Sequence, residues 1–195
     1  MEEAANVLIA SVGGQGGLTL ARILAVAATL ENFKVRTGET LGMAQRYGSV
    51  VSYVRIGREV YSPIFSPGQA DYILGLELCE TLRNAHYLKP GGAAIVADEY
   101  RPPYSLSFNN PGNTRDNVIS ELKSLVRKVQ VIPARKIAVE VGNPRALNMV
   151  VLGAFIAISK VLRENAVEVA IAEVVPKRFI ESSIAAFRRG IEFAR

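Results

Sequence analysis

Followed for its apolar and polar positions, the chain changes character about two-thirds of the way along. Before that point, short apolar runs of strand length alternate with amphipathic stretches; after it, only helical patterns remain. Val7 to Ser11 is an unbroken apolar run closing on serine, the mark of a strand buried on both faces. The apolar stretch that continues to Leu30 reads as a helix. Lys34 to Thr37 is a short strand that closes a βαβ start. Val50 to Ile56 alternates as a strand, and Gly57-Arg58 turns it back into Glu59 to Ser62, which predicts a hairpin there. Tyr72 to Leu76 and Ala93 to Ala97 are further strands, separated by a helix over Glu77 to His86 and a turn at Lys89-Pro90-Gly91-Gly92. Arg101 to Asn113 is rich in Pro, Asn and Ser and reads as a loop. Arg115 to Val126 places Val118, Leu122 and Leu125 on one helix face, and Val129 to Ile132 is the last strand.

Beyond Arg135 the pattern predicts a short helix at Ala138 to Val141 and a long apolar helix, Arg145 to Leu162, opened by Asn143-Pro144. Two more, Val167 to Val175 and Phe179 to Phe193, are split at Pro176-Lys177. Strands alternating with helices specify an α/β fold: a three-layer, Rossmann-like, mainly parallel sheet with a β-hairpin and a C-terminal helical extension packed on it. One domain over 1–195 is expected, with an α/β core at 1–133 and a helical tail at 134–195.

Between the first strand and the first helix lie Gly13, Gly14, Gln15, Gly16 and Gly17. Four glycines in five residues let the backbone take positive φ and come close to whatever sits over the turn. The helix behind them aims unpaired N–H groups and its positive dipole end at the same place, which suits a phosphate or pyrophosphate. The dinucleotide fingerprint is incomplete, because Gly14, Gly16 and Thr19 occupy its three glycine positions. No Gly-Lys-Ser/Thr follows either, so the P-loop form is absent. A plain tight turn and a phosphate site both fit these residues.

Composition narrows the classes. With 49% hydrophobic and 21% charged residues in 195, the chain can bury a sizeable core. The net charge of +5 is spread over scattered basic pairs, among them Arg127-Lys128, Arg135-Lys136 and Arg188-Arg189, which read as solvated or interface charges. A nucleic-acid groove would want one continuous stripe. The single Cys79 excludes an internal disulfide, a four-cysteine cluster and a cysteine-held zinc within this chain. The acidic start, Glu2-Glu3, does not read as a signal peptide, and the longest apolar run, Met149 to Ser159, is short of the ~20 residues that span a bilayer. A cytoplasmic protein without membrane or nucleic-acid partners is expected.

The residues offer little for catalysis. Cys79 and His86 stand seven positions apart on one predicted helix, about 10 Å along its axis, too far for a nucleophile and its base. Glu39 and Asp98-Glu99 follow strands, where α/β sheets place ligands, yet each alone reads as a turn or solvated residue. No triad, metal cluster or paired carboxylate can be assembled, and no catalytic residue is assigned.

Gly38 to Gly57, GETLGMAQRYGSVVSYVRIG, together with Gly13-Gly14-Gln15-Gly16, resembles the gamma-type subunit or domain of the 2-oxoacid:ferredoxin oxidoreductases. The run Met43-Ala44-Gln45-Arg46 followed by Gly48-Ser49-Val50 is most similar to the indolepyruvate branch of that family. Asn148-Met149, Leu152-Gly153-Ala154, Ala185-Ala186-Phe187 and Gly190 extend the resemblance over nearly the whole chain. Leu41 stands where the family often has His, and Tyr47 where it often has glycine.

The resemblance implies a subunit of a heteromeric enzyme that converts a 2-oxoacid, here an arylpyruvate such as indolepyruvate, to an acyl-CoA with release of CO₂ and reduction of ferredoxin. Thiamine diphosphate, Mg and [4Fe–4S] clusters are expected on a larger partner subunit. This chain is expected to help bind CoA, with Gly13 to Gly17 lining a phosphate site. Met43, Gln45, Arg46 and Ser49 would form a loop facing the partner or the cofactor channel, and Asn148 would stitch the helical tail to that loop. Two other readings stay open: a stand-alone nucleotide-binding oxidoreductase and a purely structural subunit. Isolated from its partner, the chain is expected to be able to form a homodimer through apolar patches meant for the complex.

Overall fold

A computed structural model describes residues 5–42, 48–102 and 114–195 of the chain. Six strands form one sheet: β1 (Ala5–Val12), β2 (Lys34–Leu41), β3 (Ser49–Gly57), β4 (Ala70–Gly75), β5 (Leu88–Ala97) and β6 (Lys128–Ile132). Their spatial order is β2-β3-β1-β4-β5-β6. The pairs β1/β4, β4/β5 and β5/β6 are parallel, while β3 runs antiparallel to both β1 and β2. β3 is therefore the one reversed strand, and the sheet is mainly parallel.

The hairpin lies elsewhere than the sequence pattern suggests. Lys34 pairs with Gly57 and Leu41 with Val50, so β2 and β3 are the two arms. Glu59 to Ser62 is not a strand. β3 takes the slot beside β1 along its full length, from Ala5 opposite Ile56 to Val12 opposite Ser49, and leaves no edge there for a further strand. The βαβ start holds in direction, with β2 displaced to the sheet edge by β3. Lys89-Pro90-Gly91-Gly92 is likewise drawn into β5, where the register with β4 slips between Ala70 and Tyr72.

Side chains alternate across the sheet as strand geometry requires. Val7, Ile9, Val54, Leu74 and Ile95 point to one face, and Leu8, Ala10, Tyr53, Ile73 and Val96 to the other. The first face is covered by α1 (Gly17–Leu30) and by the C-terminal helices: α4 (Ala134–Glu140), α5 (Leu147–Ser159), α6 (Glu164–Val174) and α7 (Ile180–Ala194). The second is covered by α2 (Leu78–Arg83) and α3 (Arg115–Leu125). Three layers result. The helical extension is thus part of one face of the sandwich, sharing a core with α1 and the sheet.

α5 is buried all round from Leu147 to Ile156, as its unbroken apolar sequence demands. It crosses α7 at backbone contact. A Cβ on Gly153 would lie 2.0 Å from the Phe187 carbonyl oxygen, and one on Gly190 would lie 2.1 Å from that of Val150. Among the described residues, no helix is long and apolar enough to cross a membrane.

Candidate functional site

β1, β4 and β5 are parallel neighbours, so their carboxyl ends open on the same edge of the sheet. The glycine turn closes β1 at that edge. Its fold is fixed from inside by Gln15, whose side chain is buried. The Gln15 amide oxygen accepts from the Val12 N–H at 2.8 Å, and its amide nitrogen donates to the Leu76 carbonyl at 3.0 Å. Gln15 therefore ties the end of β1 to the end of β4. Gly13 N–H donates to the Gly48 carbonyl at 2.9 Å, so the strand returning into β3 is sewn to the turn.

The glycines divide by what surrounds them. Gly14, at φ 95°, has no heavy atom within 4 Å of where a Cβ would be and faces open space. Gly16, at φ 86°, caps α1, and a Cβ there would meet Asn148 Nδ2 at 2.4 Å. A Cβ on Gly17 would meet the Ser11 hydroxyl at 2.6 Å. Gly16 and Gly17 thus serve close packing, while Gly13 and Gly14 border a cleft.

That cleft, of about 480 Å³, is lined by Gly13, Gly14, Gln15, Pro144 and Leu147 and by three arginines, Arg101, Arg135 and Arg145. Glu99, at the end of β5, organises two of them. Its buried carboxylate accepts from Arg135 Nε at 2.6 Å and Nη2 at 2.5 Å, and Arg101 Nη2 stands 3.6 Å away. The Glu99 carboxylate beside it raises the Arg135 pKa. Arg145 makes no ion pair among the described residues. With one carboxylate against three guanidiniums, the cleft is strongly cationic beside the glycine turn. Such an arrangement holds anions with several oxygens, phosphates above all.

Beneath Arg101, the fully buried Glu77 accepts from the N–H groups of Arg101 at 2.8 Å and Glu80 at 2.7 Å, anchoring the chain where it leaves β5. Burial pushes its pKa up. Cys79 is half-buried beside it; burial first, then the Glu77 charge, pushes the thiol up to about 12, which leaves no thiolate at neutral pH. His86 is exposed in the turn after α2, with Nδ1 3.1 Å from the Arg83 carbonyl oxygen.

Of the residues singled out in the sequence, Gly13 and Gly14 line the cleft, Gln15 lines it while bracing it, and Gly16 and Asn148 touch each other. Asn148 Nδ2 lies 3.4 Å from the Gly16 carbonyl, so the helical tail is joined to the glycine turn itself. Ser49 donates to Glu80 Oε2 at 2.5 Å, at the start of β3. Met43, Gln45 and Arg46 lie outside the described residues, as does 103–113 of the expected Arg101–Asn113 loop. Asp98 is held by Arg115 at 2.6 Å, and Glu99 is an ion-pair anchor, where the sequence suggested solvated turn residues.

The three arginines were not legible as a set, because they come from the segment after β5, from α4 and from the turn before α5. The available signal was the acid at the carboxyl end of β5: a carboxylate there needs a cation, and Arg135 supplies it.

A glycine turn and an arginine cleft lie together at the carboxyl edge of a mainly parallel, Rossmann-like sheet. Residues 6–193 match the family model for pyruvate ferredoxin/flavodoxin oxidoreductase, and the chain belongs to that family. It is 37% identical to the indolepyruvate oxidoreductase subunit IorB of Thermococcus kodakarensis, over 97% of this chain and 96% of the relative. The same subunit from Pyrococcus horikoshii is also 37% identical, with the same coverage. Among solved structures, the gamma subunit of keto/oxoacid ferredoxin oxidoreductase from Geobacter sulfurreducens superposes with a TM-score of 0.73 at 26% identity, covering 97% of this chain and 98% of that one. The 2-oxoglutarate:ferredoxin oxidoreductase of Magnetococcus marinus, whose structure has 2-oxoglutarate, coenzyme A and succinyl-CoA bound, shares the fold. There, with a TM-score of 0.72 at 20% identity, all of this chain matches 31% of the larger one.

Proposed function

We propose that this chain is the cluster-free subunit of a cytoplasmic, heteromeric 2-oxoacid:ferredoxin oxidoreductase acting on arylpyruvates such as indolepyruvate, and that its arginine cleft binds the phosphates of CoA. The substrate class follows the relatives named for indolepyruvate. Thiamine diphosphate with its Mg, and the [4Fe–4S] clusters, reside on a larger partner. When bound there, they carry the decarboxylation and the passage of electrons to ferredoxin. This chain's single Cys79 cannot ligate a four-cysteine cluster.

The observation that carries the CoA reading is the convergence of Arg101, Arg135 and Arg145 on Gly13-Gly14. CoA carries a pyrophosphate and a 3′-phosphate, and the donor set fits them: planar guanidiniums for paired oxygens, beside a backbone that Gly14 leaves open to close approach. Glu99 orients Arg135, so that guanidinium is arranged before a ligand arrives. Gln15 and Asn148 hold the turn against the sheet and the tail. In this proposal Met43, Gln45, Arg46 and Ser49 complete the site or its partner interface from the segment between β2 and β3.

The test has two parts. Affinity purification of the tagged chain from its host should bring down a large brown partner with thiamine diphosphate and iron–sulfur absorbance; a colourless protein alone would overturn the complex. In the purified complex, Arg145→Ala should raise the KM for CoA about tenfold with little change in kcat. An unchanged KM would remove the CoA role, and faster turnover of pyruvate than of indolepyruvate would overturn the substrate class.

A further inference from the structure

Next to the arginine cleft lies a second cavity, of about 160 Å³, between the start of α1, the turn before α5 and the segment joining α6 to α7. Met149, Val175, Pro176 and Phe179 make its walls largely apolar. Arg145 borders this cavity as well as the cleft, so the two are neighbours around one guanidinium. We propose that this slot takes the heteroaromatic base of a phosphorylated nucleoside whose phosphates lie against the arginine cleft. The proposal rests on the cleft being a phosphate site and deepens it, assigning the nucleoside end of the ligand to a specific pocket.

Size, wall chemistry and charge agree. A cavity of about 150 Å³ admits one aromatic ring, and a slot open at one side passes the rest of a base toward solvent. A base has two apolar faces and a polar edge, the combination met by an apolar pocket with a few placed polar groups. Asn143 and Asn148 supply those groups. Asn143 Nδ2 spends one hydrogen on the Ser182 hydroxyl at 2.9 Å, and Asn148 Nδ2 one on Gly16 at 3.4 Å. Each amide nitrogen carries two hydrogens, so each keeps one donor for a ring nitrogen or carbonyl. Each amide oxygen accepts one bond, from the Arg145 and Met149 N–H groups, and keeps a second lone pair, so this edge offers acceptors as well as donors. Phe179 adds an aromatic ring, against which bases stack without regard to their identity. The guanidinium of Arg145, free of any ion pair among the described residues, is placed to bridge the sugar-phosphate side of the ligand to the cleft.

The experiment is calorimetric titration of the full chain with inorganic pyrophosphate and with ADP. ADP should bind about tenfold more tightly than pyrophosphate, the contribution of a stacked, enclosed base. Thr19→Phe fills the slot from its partly exposed wall, and Phe179→Ala removes the aromatic surface; either should erase the difference while leaving pyrophosphate binding unchanged. Equal binding of ADP and pyrophosphate by the unaltered chain overturns the slot and leaves the cleft reading standing. A preference for ADP that survives both substitutions also overturns it, because the base then lies elsewhere. Absence of pyrophosphate binding in the unaltered chain removes the cleft reading, and the slot with it.

Discussion

The Glu99 carboxylate and the Arg135 guanidinium form a two-point fork, 2.6 and 2.5 Å long, at the mouth of the cleft beside the glycine turn. Glu99 is only 9% exposed, so it depends on that cation for solvation, and Arg135 is aimed by it. Arg145, across the cleft, has no such tether among the described residues. The two arginines therefore separate stability from ligand binding.

Arg135→Ala should cost about 1–3 kcal/mol of stability, because it strips a nearly buried carboxylate of its fork and leaves only Arg101 at 3.6 Å. Arg145→Ala should leave stability within about 0.5 kcal/mol, while weakening pyrophosphate binding about tenfold. Urea unfolding and calorimetric titration of both variants check this. Equal effects on stability would contradict it.

The Gly16–Asn148 contact makes a coupled pair. Gly16→Ala places a Cβ 2.4 Å from Asn148 Nδ2 at φ 86° and should cost about 2–3 kcal/mol. In an Asn148→Ala background the clash is gone and only the left-handed backbone strain remains, about 1–2 kcal/mol. A double-mutant cycle should therefore return a clear non-additive term; simple additivity would place the two residues out of contact.

At the α5–α7 crossing, Gly153→Ala sets a methyl 2.0 Å from the Phe187 carbonyl oxygen, and backbone on both sides cannot give way. The helices must separate, at a cost of about 3 kcal/mol. Gly190→Ala, with 2.1 Å to the Val150 carbonyl, should behave alike. Thermal melts that move by less than a degree for both would show that the helices do not meet at these glycines.

Glu77 gives a pH signature. Burial raises its pKa above the ordinary carboxylate value, so the folded chain holds this proton more tightly than the unfolded one. Its contribution is complete below the ordinary value and is lost as the pH rises through the raised one. Glu77→Gln cannot ionise. The stability of the variant relative to the parent should therefore improve as the pH rises from about 4 toward neutrality, whatever the variant loses throughout by giving up an acceptor for the Arg101 or Glu80 N–H. A constant difference across that range would mean the carboxyl titrates as if exposed.

Much was written locally. The strand-turn-helix of β1, Gly13 to Gly17 and α1 depends on neighbouring residues: apolar side chains that must be buried, glycines that accept positive φ, and a helix that needs a cap. The unbroken apolar run of α5 likewise could only lie inside. Other features were not local. Nothing within Glu59 to Ser62 reveals that β3 finds its partners in β1 and β2 instead, because strand pairing is settled by which edges meet. Asp98 and Glu99 read as turn acids until Arg115 and Arg135 arrive from later segments to hold them. Asn148 reaches Gly16 across 132 positions. By itself the sequence determined most of the strands and helices, the two-faced sheet and the glycine turn, since side-chain burial and backbone sterics act over a few residues. Only the tertiary structure decided that Arg101, Arg135 and Arg145 share one cleft with that turn, because charges brought together through space leave no period along the chain.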